Sequence, residues 1–164
     1  MAARSLQLPQ IAVSPGDIRR LRRELDSLDD YLHQASLRQP ETVPRLPRLS
    51  RSLSDTATIN ELNLGVIADR NNLKTFLDNL LDHAPVLHIS FAVDPSSAFL
   101  VKVVDWLRQN IDKYLLVDVG LEPNIAAGCI VRTTNKMFDL SLREHFAKQR
   151  NLLIKKITEE APAA

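Results

Sequence analysis

A strand period first enters the spacing of apolar residues after Pro85, and this limits the chain to folds that join a helical part to a sheet-bearing part. Before that point Ile18, Leu21, Leu25, Leu28 and Leu32 recur at steps of three and four, the spacing of one helical face. After it, VLHISFAV (86–93) puts Leu87, Ile89, Phe91 and Val93 on alternate positions, and YLLVDVGL (114–121) is apolar at its odd positions, the period of strands. Between the two, Asp94-Pro95 opens a helix with Leu100, Val103, Val104, Leu107 and Ile111 as its stripe. A strand, a crossover helix and a second strand predict a parallel, right-handed unit. The fold class expected is α+β or α/β: an N-terminal helical region, then a small C-terminal domain with a mixed four-stranded sheet and two helices.

Punctuation residues divide the chain further. Residues 1–14 carry no periodicity and are expected to drape or fray as a flexible N-terminus. A helix starts at Pro15 with Ser14 as N-cap, and Arg20–Glu24 and Arg22–Asp26 stand at i,i+4 on its outer side. Pro40, Pro44 and Pro47 then forbid a continuing helix and make 39–54 a joint, in which Arg45, Arg48 and Arg51 read as solvated linker residues. Ser54-Asp55-Thr56 offers caps for a stretch in which Ile59, Leu62, Val66 and Ile67 share a face, with Gly65 a weak spot of about 1 kcal/mol relative to alanine. A helix over 71–83 comes next, striped by Leu73, Phe76, Leu77, Leu80 and Leu81 and closed by Pro85. Past the loop Glu122-Pro123-Asn124, the segments 128–134 and 136–139 read as a tight hairpin turning at Asn135. Ser141-Leu142-Arg143-Glu144 is a capping box for a last helix reaching Ile157, with Leu142, Phe146, Leu153 and Ile157 inward. The domain reading is therefore 1–14, a helical region 15–85, an α/β domain 86–158 and a loose tail 159–164.

Composition narrows function. With 21 basic and 20 acidic residues the formal net charge is +1, so no global field draws the chain to nucleic acid or anionic lipid. No stretch approaches the roughly 18 apolar residues of a membrane span, and 1–13 lack the apolar core of a signal peptide. The single cysteine, Cys129, lies in an apolar strand, where a structural thiol is the default over a nucleophile served by His83, His88 or His145. The histidines lack metal-ligand spacing, Asp118 reads as a surface acid and Trp106 as packing or an interface anchor. With four glycines in all and no phosphate-cradling motif, no cofactor or metal is expected.

The segment 121–143, LEPNIAAGCIVRTTNKMFDLSLR, resembles the C-terminal signature of the delta subunit of F-type ATP synthases, the counterpart of the mitochondrial oligomycin-sensitivity-conferral protein. Glu122, Pro123, Ile125, Gly128, Arg132, Lys136, Asp139, Ser141 and Arg143 fall on that pattern without a gap. Ala127 stands where the family has the first of paired glycines, Thr133-Thr134-Asn135 replaces its glycine-bearing turn, and the family's opening Arg-Tyr-Ala stretch is absent. The resemblance covers about 86–157. It implies a non-catalytic peripheral-stalk subunit at the cytoplasmic face of the membrane, in contact with the membrane only through the complex. Its partners would be the b-type stalk subunit and the N-terminal segments of the alpha subunits, and its role would be to resist rotation during ATP synthesis driven by proton transport. The alternatives are an E-like subunit of V- or A-type stalks, a general protein–protein adaptor and, more remotely, a small enzyme with an unfamiliar site.

Overall fold

The computed structural model describes residues 6–38, 45–125, 127–133, 135–142, 149–150, 154 and 156. Its elements are α1 (Pro15–Arg38), α2 (Arg51–Ile59), α3 (Ile67–His83), β1 (Val86–Phe91), α4 (Ser97–Asn110), β2 (Leu116–Leu121), β3 (Cys129–Arg132) and β4 (Met137–Asp139). The fold is α+β, with an N-terminal helical region and one four-stranded sheet in the order β2-β1-β3-β4. The sheet is mixed. The Leu116 amide donates to the Pro85 carbonyl at 3.0 Å and the Glu122 amide to the Phe91 carbonyl at 2.8 Å, so β1 and β2 advance in the same direction. β3 is antiparallel to β1, with His88 opposite Arg132 and Phe91 opposite Cys129, and antiparallel to β4, with Val131 opposite Phe138.

The chain divides into two compact units: Met1–Val86 with Ser97–Asp118, and Leu87–Ser96 with Val119–Ala164. Neither unit is one continuous stretch, and α4 with the start of β2 falls in the first unit with the helices. That unit is built on the five-residue stripe of α1, Ile18, Leu21, Leu25, Leu28 and Leu32, all buried against Leu53, Leu73, Leu77 and Leu80. Each such side chain contributes about 1.5–3 kcal/mol on burial. Ser14 caps α1 as expected, and Asp17 closes the box: its amide donates to Ser14 Oγ while its carboxylate accepts from the Ser14 and Val13 amides.

An ionic seam fixes α1 against α3. Arg22 pairs with Asp26 in its own helix and with Asp78, Lys74 pairs with Asp26 and Asp29, and Arg70 pairs with Asp29. Arg70 is only 5% exposed and also donates to the Leu64 carbonyl at 2.8 Å, so its charge is buried but compensated.

Three local expectations are corrected. α2 begins at Arg51, inside the expected joint: Ser50 is its N-cap, accepting from the Leu53 amide, and Glu24 of α1 accepts from both the Ser50 amide and hydroxyl. Arg45 and Arg48 are exposed, in keeping with a linker, and Arg51 lies 3.8 Å from Asp55. The face of Ile59, Leu62, Val66 and Ile67 does not form. Glu61, at φ +53°, ends α2 in a Schellman motif: the Leu62 amide donates to the Ala57 carbonyl and the Glu61 amide to the Thr58 carbonyl. Leu53, Thr56 and Leu64 are buried instead, while Ile59, Val66 and Ile67 are exposed. Gly65 thus lies in the turn before α3, its amide bonded to Asn63 Oδ1, and α3 begins at Ile67 rather than Asn71. Finally, residues 6–14 do drape over the helices, and they are fastened there by Asn60, Arg108 and Tyr114. The expected last helix lies almost wholly outside the described residues.

Candidate functional site

In the second unit the hairpin turns where expected. Thr133 and Lys136 close its loop: the Thr133 amide donates to the Lys136 carbonyl at 2.8 Å and the Lys136 amide to Thr133 Oγ1 at 2.9 Å. The ladder runs beyond β4, with the Leu140 amide on the Cys129 carbonyl and the Leu142 amide on the Ala127 carbonyl, both at 2.9 Å. At the base of the hairpin the returning chain presses on Gly128, whose φ is +96°. A Cβ there would collide with the Leu140 carbonyl oxygen and lie 2.9 Å from Ser141 Cα. Asp139 accepts from the Ser141 amide at 2.9 Å, an Asx turn that ends the strand.

The motif residues therefore divide into groups. Gly128, Asp139 and Ser141 meet at the base of the hairpin, and Arg132 and Lys136, both exposed, stand at its turn end. Glu122 accepts from the side chain of Asn124 and, through its carbonyl, from the amide of Ile125, so Pro123 sits exposed in a tight turn whose far end buries Ile125. Arg143 lies outside the described residues, as does Glu144 of the expected capping box.

Apolar surface is exposed in each unit. Met137 and Phe138 in β4 and Leu140 just beyond it are exposed, and β4 is last in the sheet order, so no strand among the described residues pairs with its outer edge. In the first unit Phe99, the half-buried Val103 and Trp106 form one ridge of α4, with Trp106 61% exposed. Apolar stripes of this kind are how helices and edges meet partner chains. A separate groove of about 420 Å³ in the first unit is lined by Phe76, Leu80, Pro85 and Tyr114, with His83 and Asp112 among its polar residues. The Phe76 and Tyr114 rings meet edge to face at 5.6 Å.

The candidates for chemistry are dispersed. Cys129 is half-buried in β3, and burial raises its thiol above the ordinary value, which disfavours the thiolate a nucleophile needs. His83 ends α3 with its ring against the Asn79 carbonyl, His88 is in β1 opposite Arg132, and His145 lies outside the described residues. Among the described residues no group of three or more His, Cys, Asp or Glu could hold a metal ion, and no helix is long and apolar enough to cross a membrane.

The contacts that fasten residues 6–14 in the first unit carry no sequence motif. Arg108 of α4 donates to the carbonyls of Ala12 (2.6 Å), Pro9 (3.4 Å) and Leu115 (3.1 Å), and burial holds its guanidinium below the usual arginine value. A basic residue one position after a buried leucine gives no hint of this task. No family model matches the chain, and no curated protein matches it.

Proposed function

We propose that the chain is a non-catalytic connector: a peripheral-stalk subunit that links the catalytic head of an F-type ATP synthase to its b-type stalk and resists rotation of the head. The observation that carries this reading is the base of the hairpin. There two residue types of the delta-like segment have the physical task their type requires: glycine where φ is +96° and a backbone presses close, and aspartate, whose carboxylate accepts from the Ser141 backbone amide and ends the strand. Supporting it are the exposed apolar faces on α4 and β4, which suit a protein whose work is done by docking. Torque resistance needs stiff elements with interfaces and no reactive group.

The reading is tested by tagging the chain in its own cells and purifying under gentle conditions. Co-purification with alpha and b subunits is expected, and G128A, which disturbs the hairpin base, should reduce the yield of b. Repeated isolation of an intact synthase lacking this chain would defeat the proposal, as would a tagged chain that returns neither subunit.

A further inference from the structure

The groove at the end of α3 is apolar inside and carries charge of one sign. Its walls are the rings of Phe76 and Tyr114, which meet edge to face at 5.6 Å, and the buried Leu80. Its volume of about 420 Å³ lies within the range of small-molecule sites, about 300–1,000 Å³. Asn79, His83 and Asp112 supply its polar groups, and among the described lining residues there is one carboxylate and no lysine or arginine.

The chemistry at this place favours a cation. Asp112 uses Oδ1 to accept from the Tyr114 amide at 2.8 Å, and among the described residues no group donates to its Oδ2. His83 Nδ1 lies 3.2 Å from the Asn79 carbonyl; a carbonyl can only accept, so Nδ1 carries the proton and the neutral ring offers Nε2 as a further acceptor. The last turn of α3 and its C-cap, Ala84, line the groove, and the C-terminal end of a helix carries partial negative charge. Aromatic faces attract cations, and Tyr114 already receives one: Lys113 Nζ stands 4.6 Å from its ring centroid. We propose that the groove binds a small arylalkylamine, with its ammonium on Asp112 and the end of α3 and its flat ring against Phe76 and Tyr114. A lysine side chain of a partner would bring the charge without the ring that such walls reward. The inference stands apart from the stalk reading, because it uses only the first unit.

The test is an NMR titration of the nitrogen-15-labelled full-length chain with three ligands that share an indole ring: tryptamine, a cation; tryptophol, neutral; and indole-3-propionate, an anion. Tryptamine should move the amide signals of His83, Ala84 and Tyr114, leave that of Leu25 in place, and bind at least about tenfold more tightly than tryptophol. Indole-3-propionate should bind most weakly. D112N keeps an acceptor for the Tyr114 amide, so it should bring tryptamine to within about threefold of tryptophol and leave tryptophol unchanged. Nα-acetyl-lysine amide, an ammonium without a ring, should bind at least about tenfold more weakly than tryptamine. Unmoved signals at His83, Ala84 and Tyr114 with about 10 mM tryptamine overturn the site. The anion binding best overturns it too, since Lys113 and not Asp112 would then set the charge. A lysine derivative that matches tryptamine makes a protein side chain the occupant and overturns the ligand class, and a preference that survives D112N overturns the role of Asp112. Should D112N not fold, the native series decides alone.

Discussion

A methyl group added at Gly128 would strike the Leu140 carbonyl oxygen and sit 2.9 Å from Ser141 Cα, at a φ of +96° that L-residues rarely adopt. Both atoms are backbone, so relief requires the hairpin base to open. Strain at such a φ costs about 1–3 kcal/mol and overpacking a similar amount, so G128A should destabilise the second unit by about 2–4 kcal/mol. Hydrogen exchange reads this directly: the Leu140 and Leu142 amides, bonded across the hairpin, should lose protection by about 30-fold or more. Gly16 is the control, since a Cβ there meets Ser14 Oγ at an ordinary 3.4 Å and alanine suits a helix. At this scale legibility in the sequence was uneven. Gly128 was readable because glycine before an apolar run has few reasons to be there. Glu61 at φ +53° was not, because a charged residue advertises no left-handed turn and hides the end of α2. Arg108 was equally silent: its three acceptors are carbonyls, which every residue possesses.

The stripe of α1 was legible because five leucine-type residues keep the helical period for its full width, and period alone decides which face is buried. The α1–α3 seam was not, because its ion pairs join residues far apart in sequence, and Arg70 occupies a stripe position where an apolar residue is the rule. Asp26 and Asp29 both titrate below their ordinary 3.8. At Asp26 the hydrogen bond from Arg22 leads; at Asp29 burial pushes upward, but Lys74 and Arg70 outweigh it. A lowered carboxyl gives stability that is complete above its unfolded value and lost as pH falls through the folded one. The helices should therefore hold their ellipticity from neutral pH down to about pH 4 and lose stability below it. Lys74 is raised from 10.5, burial pushing it down but Asp26 and Asp29 outweighing that, so its contribution is complete below that value and lost only at higher pH. The two acids are unequal. Among the described residues, removing Asp29 leaves the buried Arg70 with the Leu64 carbonyl as its hydrogen-bond partner, whereas the Asp26 side chain is 50% exposed and screened by water. In urea denaturation at pH 7, D29A should cost about 2–3 kcal/mol and D26A no more than about 1. Equal losses would mean that burial of Arg70 does not set the cost.

At the scale of the molecule, the chain crosses from the first unit to the second at Val86, returns at Ser97 and crosses again after Asp118. Neither unit is a continuous stretch, so a cut at the change of apolar period, where the sequence points to a boundary, removes part of the first unit. Beyond such a cut lie Leu116, 1% exposed in the helical core, and Tyr114, packed on Phe76. Arg108 and Val117, which hold residues 9–13, are lost with them. Burying a leucine contributes about 1.5–3 kcal/mol, and hydrogen bonds to a charged group about 1.5–3 each. A piece ending at Val86 should thus lose at least about 3 kcal/mol relative to one ending at Asp118 and, at 4–8 °C per kcal/mol, melt at least about 10 °C lower by circular dichroism. If the two pieces melt together, α4 and the start of β2 add nothing to the helices, and the first unit is α1 to α3 alone. If the longer piece is the more stable by this margin, the return of the chain at Ser97 is what completes the helical core, and a division of the molecule at Pro85 by sequence period would separate residues that fold together.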